Sequence, residues 1–354
     1  MEAIFSETPS NISSIVNSSS SVSESRNEAL ITLLLGTILT MMCLMGIAGN
    51  VYILVVMTLS MRFTGSMYVY IVNLAFADLL YLSTIPFVVC TYFMKDWYFG
   101  EVGCRILFSL DFLTMQASIF ILTIMSTERY LAVVKPLDTL RRNRAYRRII
   151  TCAVWFMSFV LALPSMIMID LREFDKNGAI KRMCHSTWPQ KAYKVYLTVL
   201  FHTCILAPGI VIGFLYIKLA RTYWMSQTTT FNNREVKRSP KQKILYMILT
   251  IVLAYCVCFL PFWVWQLFTL YYNETANLAP KTTAYVNFFV TCLAYGNSCI
   301  NPFLYTLLTK NYKEYVRNQQ RKFLEFSQRK HYRNSSQRSV SSGSQQCTDN
   351  VSHN

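Results

Sequence analysis

Two carboxylates sit where a carboxylate is costly. Asp78, in NLAFADLL, and Asp111, in SLDFLTMQASIF, each interrupt an apolar run otherwise free of charge, residues 63–94 and 106–127, and both runs are long enough to cross a bilayer. An ionisable group inside such a span costs about 2.5–3.5 kcal/mol on insertion scales, so it calls for a function or a partner. Around Asp78 the chain offers amides and hydroxyls: Asn73 five residues earlier, Asn50 in the first apolar run, Ser118, and Asn297, Ser298 and Asn301 in the last. A carboxylate ringed by such groups can hold a small cation such as sodium. The alternative is a neutral, hydrogen-bonded aspartate that only packs helices. Asp111 shares a helical face with Met115 and Ser118. No basic residue lies at an obvious matching depth, which favours a cationic ligand over an internal partner.

At the other end of the same run stands Glu128-Arg129-Tyr130. Arg129 follows Asp111 by 18 residues, five turns of helix, so the two share a face about 27 Å apart at 1.5 Å per residue. That is close to the thickness of a hydrocarbon core. A guanidinium at the membrane boundary can pair with its neighbouring carboxylate or be released to a partner protein.

Helices must position these groups. The runs 29–61, 149–169, 195–217, 244–273 and 282–309 carry no charge, and with the two aspartate-bearing runs they make seven spans in 354 residues that are 53% hydrophobic. The expected helices are 30–58, 66–94, 101–135, 146–169, 192–226, 240–272 and 280–309. Of the 34 basic residues, 23 fall on one side of this arrangement, which makes that side cytoplasmic and the N-terminus external. The formal charge of +16 flanks apolar spans without interleaved stacking aromatics, a pattern of membrane rather than nucleic-acid contact.

Residues 1–29 read as an external tail without a cleavable signal, carrying glycosylation acceptors at Asn11 and Asn17; Asn273 is a third on an external segment. Residues 30–309 form the spanning domain. Residues 310–326 read as an amphipathic helix on the inner leaflet, and 327–354 as a disordered Ser-rich tail open to phosphorylation. Eight cysteines fall within spans and Cys347 in the tail. Cys104 and Cys184 remain, and a bridge between them would fasten the loop 170–191 across the outer mouth. Within that loop Asn177-Gly178 signals a hairpin.

Taken together, Gly49-Asn50, NLAFADLL, Trp97, Cys104, Glu128-Arg129-Tyr130, Trp155, Cys184, Pro208, Phe259-Leu-Pro261 and NPFLY at 301–305 resemble the rhodopsin-type G-protein-coupled receptors, from about residue 36 to 320. Phe259 stands where that family usually has tryptophan, and Glu128 where it usually has aspartate. The resemblance implies that Arg129 engages a G protein with support from Tyr216 and Tyr305, and that Asp78, Ser118, Asn297, Ser298 and Asn301 line a sodium pocket. It further implies arrestin and receptor kinases as partners of the Ser-rich tail.

SMYVYIVNLAFADLLYLSTIPF, LPFWVWQL and TCLAYGNSCINPFLYTLLTKNY are similar to the branch whose ligands are short disulfide-cyclised peptides with a central Trp-Lys-Tyr. That implies Gq-class coupling with calcium release, a lysine to pair with Asp111, and a cage of Met115, Phe259, Phe262, Trp263, Gln266, Thr291 and Tyr295 around the peptide's aromatics. A related cyclic-peptide receptor with inhibitory coupling is the alternative. A transporter using the two aspartates as an ion path is disfavoured because the halves show no inverted repeat. No nucleophile, base and orienting group are arranged for covalent catalysis.

Overall fold

A computed structural model describes residues 11–60, 67–94, 96–135, 143–176, 179–230, 249–250, 252–272 and 280–308. The chain divides into two compact units, Met1–Phe303 and Leu304–Asn354, and the bundle belongs to the first. Its helices are α1 (Asn11–Ser60), α2 (Tyr68–Leu82), α3 (Ile85–Met94), α4 (Gly100–Val134), α5 (Arg144–Met168), α6 (Gln190–Leu200), α7 (Ala207–Thr230), α8 (Leu260–Tyr272) and α9 (Pro280–Leu308); strands β1 (Ile169–Lys176) and β2 (Ala179–Ser186) follow α5. The amphipathic helix expected over 310–326, the tail expected beyond it, residues 231–248 and Asn273 lie outside the described residues.

Among the described residues, six helical stretches are long and apolar enough to cross a membrane: Ala29–Thr58, Tyr68–Met94, Gly100–Ala132, Arg144–Met168, Gln190–Thr222 and Val252–Tyr272. The seventh expected span, α9, is helical over 29 residues but is not among them. Its buried face carries Asn297, Ser298 and Asn301, which dilute its apolar character. Large apolar side chains point outward on most spans, and Leu33, Leu44, Ile149, Phe156, Ile210 and Phe289 are all more than half exposed. In water such a surface would be a liability; in lipid it costs nothing. α1 begins at Asn11, well before the expected 30, because no proline or glycine interrupts the chain between residues 11 and 35.

Prolines divide two of the spans. Pro86 cannot donate to the carbonyl of Leu82, and there the second span breaks into α2 and α3. The freed carbonyl is met by the thiol of Cys43 at 3.6 Å, while Ser83 and Thr84 hydroxyls donate to Leu80 and Tyr81 carbonyls, both at 2.7 Å. α1 can approach this closely because Gly46 has no side chain: a Cβ there would lie 2.7 Å from Leu82 Cδ1. Ahead of Pro208 a π-helical turn, Phe201–Leu206, joins α6 to α7, and the hydroxyl of Tyr255 donates to the carbonyl of Ile205.

β1 and β2 pair antiparallel with Leu171 opposite Cys184, which is disulfide-bonded to Cys104 at the start of α4 with 5.7 Å between Cα atoms. Around the bridge Trp97, Cys104, Leu107 and Ile169 form a small core of their own. Trp97 is fixed by its indole N–H, which donates to Gly100 O at 2.7 Å, and Gly100 takes φ +70°, a conformation that favours glycine. A second tether joins the hairpin to the loop before α4. The backbone N–H of Arg182 donates to Asp96 Oδ1 at 2.6 Å, its guanidinium to Oδ2 at 3.0 Å, and Trp97 N–H to the Arg182 carbonyl at 3.1 Å.

The guanidinium of Arg182, and then its backbone N–H, hold the Asp96 carboxyl down at about 2, below its usual 3.8. A carboxyl depressed in the fold contributes stability above its unfolded value and loses it as pH falls towards the folded one. The melting-temperature difference between wild type and Asp96→Asn should therefore stay constant from about pH 5 to 8 and shrink below about pH 4. A difference that grows on acidification would contradict the tether. Non-reducing digestion and mass spectrometry should recover Cys104 and Cys184 in one linked peptide pair.

Candidate functional site

Asp78 lies on α2 and is completely buried. Helical phase turns Asp78 inward with Leu74, Ala75 and Leu82. Its Oδ1 accepts from Ser298 Oγ at 2.8 Å and from Ser118 Oγ at 3.3 Å, and its Oδ2 accepts from Asn301 Nδ2 at 2.8 Å. Three helices thus meet on one carboxylate. Asn297 is 1% exposed, and its amide nitrogen has no hydrogen-bond partner among the described residues. The two other amides expected here serve different ends. Asn50 donates to the carbonyls of Gly46 (2.9 Å) and Ser298 (3.0 Å), tying α1 to α9. Asn73 accepts from the indole of Trp155 at 3.0 Å, tying α2 to α5. The donor set fits a hard cation: a carboxylate and two hydroxyl oxygens converge, which are the ligand types such ions take.

Asp111, three turns into α4, is partly buried, and its Oδ1 is enclosed without a hydrogen-bond partner among the described residues. The hydroxyl of Thr84 lies within reach of its carboxyl. Thr84 also shares a 2.9 Å hydrogen bond with Tyr295 OH, and Tyr295 stacks on Tyr81 with ring centroids 4.4 Å apart. The proline break between α2 and α3 is what exposes Thr84 to this junction. Sequence reasoning missed Thr84 and Tyr81, although the run Ser83-Thr84-Ile85-Pro86 carried a signal: hydroxyls beside a proline that frees carbonyls.

Met115, Phe259, Trp263 and Tyr295 are each at most 4% exposed and belong to one apolar cluster with partly buried Phe262 and Phe112. They form the floor beneath Asp111 rather than an open wall. Phe112 and Trp263 rings lie 6.3 Å apart, and Phe262 meets Trp263 edge-on at 6.1 Å. Gln266 and Thr291 stand above this floor, partly buried. Gln266 donates to Asn287 Oδ1 at 3.4 Å, and Thr291 spends its hydroxyl on the Asn287 carbonyl at 2.7 Å.

At the opposite end of α4, Glu128 is 3% exposed while Arg129 and Tyr130 are partly buried. Tyr216 is partly buried on α7. Tyr305 lies on α9 and Asn11 and Asn17 on α1, but their side chains fall outside the described residues.

Comparison with known proteins agrees with this architecture. A family model described as "7 transmembrane receptor (rhodopsin family)" matches residues 49–305. The chain is 53% identical over 281 residues to a urotensin-2 receptor of Bos taurus, covering 79% of this chain and 71% of that one. It is 51% identical over 287 residues to a urotensin-2 receptor of Homo sapiens, covering 81% and 72%. A somatostatin receptor type 4 of Rattus norvegicus is 32% identical over 282 residues, covering 78% and 70%. Bundle, hairpin, disulfide and family match agree: the chain is a multi-pass membrane protein and belongs to the rhodopsin family of seven-transmembrane receptors.

Proposed function

We propose that the chain is a plasma-membrane receptor for a short disulfide-cyclised peptide of the urotensin II type, with its N-terminus outside, coupling through a Gq-class G protein to calcium release. The observation that carries the reading is Asp111: an enclosed carboxylate oxygen with no hydrogen-bond partner among the described residues, above an aromatic floor and near the hairpin end of the bundle. A peptide ammonium would supply the missing charge, and the peptide's aromatics would pack on Phe262, Gln266 and Thr291 above Met115, Phe259, Trp263 and Tyr295. Identity above 50% to urotensin-2 receptors supports that peptide over a somatostatin-type one. The signal is a population shift: a ligand that prefers the form with an open inner cleft raises its share by no more than its differential affinity. In that form Arg129 leaves Glu128 for the G protein, with Tyr216 and Tyr305 in support. Phosphorylated serines of the tail would recruit arrestin.

Asp78, with Ser118, Ser298, Asn297 and Asn301, would hold a sodium ion in the resting form. The ion would supply positive charge to the carboxylate, and the chain's own hydroxyls and amides fix that carboxylate in place.

Asp111→Asn should reach the cell surface yet lose peptide potency in a calcium assay by about 2 kcal/mol or more, roughly 30-fold, as expected when one partner of a buried pair is removed. Unchanged potency would refute the ion pair. Reading cyclic AMP alongside calcium separates Gq-class from inhibitory coupling. Asp78→Asn should abolish the effect of sodium on radiolabelled agonist binding while leaving binding itself measurable. If sodium still weakens agonist binding to that variant, the ion sits elsewhere.

A further inference from the structure

Thr84 sits between α2 and α3, where Pro86 breaks the second span, and it is 1% exposed. Threonines inside unbroken helix spend their hydroxyls on the carbonyl four residues back, as Thr91, Thr123 and Thr127 do. Thr84 is placed differently. Its hydroxyl donates to the carbonyl three residues back, that of Tyr81, at 2.7 Å, and the same oxygen lies 2.9 Å from Tyr295 OH of α9. The Tyr81 carbonyl also accepts the Thr84 backbone N–H at 3.1 Å. That carbonyl is therefore met with or without the hydroxyl, and the hydroxyl proton is free to turn to a stronger acceptor.

A stronger acceptor is at hand. The Asp111 carboxyl lies within reach of the Thr84 hydroxyl, and its charge is felt at both Tyr81 and Tyr295. Hydrogen bonds to an ionised group are stronger than those between neutral groups, which favours the carboxylate over the carbonyl. With the Thr84 proton turned to Asp111, the Thr84 oxygen still accepts from Tyr295 OH. Phenol, hydroxyl and carboxylate then form one chain in which each bond polarises the next. Tyr295 is held for this by its stack on Tyr81, with centroids 4.4 Å apart, and both rings are at most 4% exposed.

The chemistry of the chain determines what it can do for binding. Both hydroxyls are neutral, so they orient the carboxylate without cancelling its charge. A lysine or arginine in either place would pair with Asp111 and leave no charge for a ligand. We propose that Thr84 is a positioning residue for recognition: its hydroxyl, backed by Tyr295, holds Asp111 in the orientation that meets a ligand ammonium. Thr84 thereby sets the preference for a cationic ligand over a neutral one of the same shape. This rests on the reading of Asp111 as the partner of a peptide ammonium, and it adds a residue from outside the expected cage. The gain is preorganisation, since a carboxylate already held in place loses less freedom when the ligand arrives. The break at Pro86 is what makes the contact available, because it takes Thr84 out of the regular helical ladder.

The test is competition binding to membranes carrying the full-length receptor, using a disulfide-cyclised peptide with a central Trp-Lys-Tyr and its analogue with norleucine in place of the lysine. Wild type should prefer the lysine peptide. Thr84→Val, which keeps the shape and removes the hydroxyl, should narrow that preference about tenfold, and Thr84→Ser should restore it. Tyr295→Phe should narrow it by a smaller factor alone and not at all in the Thr84→Val background, because Tyr295 acts through Thr84. An undiminished preference in Thr84→Val, or equal weakening of both peptides, would overturn the positioning role while leaving the ion pair standing. Additive effects of the two substitutions would mean that Tyr295 serves Asp111 directly, and would overturn the relay. If wild type itself binds the two peptides equally, the Asp111 ion pair is refuted and the role of Thr84 with it. Should Thr84→Val bind neither peptide, Thr84→Cys, a weaker donor of similar size, takes its place with a narrowing in the same direction.

Discussion

Inside a bilayer a polar atom cannot turn to water, so it must find another polar atom of the protein or remain unmatched. That constraint organises this molecule more than apolar burial does. Lipid is as apolar as leucine, so packing alone supplies little preference for one helix arrangement over another. Direction comes from the few polar groups. The Asp78 carboxylate draws α4 and α9 to α2 through Ser118, Ser298 and Asn301; Asn50 draws α1 to α9 and Asn73 draws α2 to α5 through Trp155. Each bond also fixes register, because a shift of one residue on any helix would swing its polar group towards lipid.

The prolines work within the same constraint. Each removes a backbone donor and frees a carbonyl, and in lipid the carbonyl must be met. Cys43, Ser83 and Thr84 serve around Pro86, and Tyr255 at the π-helical turn before Pro208. The break at Pro86 has a consequence beyond local repair. It turns Thr84 towards Tyr295 and Asp111, so a defect in one helix supplies a hydroxyl to the junction of three.

Much of this was legible in the sequence because the membrane makes charge conspicuous. Gaps between charged residues located the spans, and the chemistry of Asp78 pointed to Ser118, Ser298 and Asn301 across separations of 40 to 223 residues. Asn177-Gly178 with Cys184 indicated the hairpin and its anchor. What escaped depends on geometry that composition does not carry. Asn50 and Asn73 have the right chemistry for the Asp78 centre, but their helices aim them at a carbonyl and an indole instead. The π-helical turn adds a residue to one turn without any signature of its own. The early start of α1 reflects only the lack of a stop signal.

The two intramembrane aspartates differ in how far the protein satisfies them, and the difference assigns their parts. Asp78 receives three hydrogen bonds from two other helices and is completely enclosed, so it stabilises one arrangement of the bundle. Asp111 keeps one enclosed oxygen that no described residue meets, at a cost to the fold. Removing that cost is worth free energy only to something that brings a donor or a positive charge, which makes the site selective by chemistry rather than shape alone. Asp111 and Arg129 lie on one unbroken helix, α4, so in the proposed mechanism a displacement that accompanied neutralisation of Asp111 would be carried along a rigid element to the Glu128-Arg129 end. No contiguous chain of side-chain contacts is needed for the two ends to be coupled; a single helix with two preferred positions is sufficient.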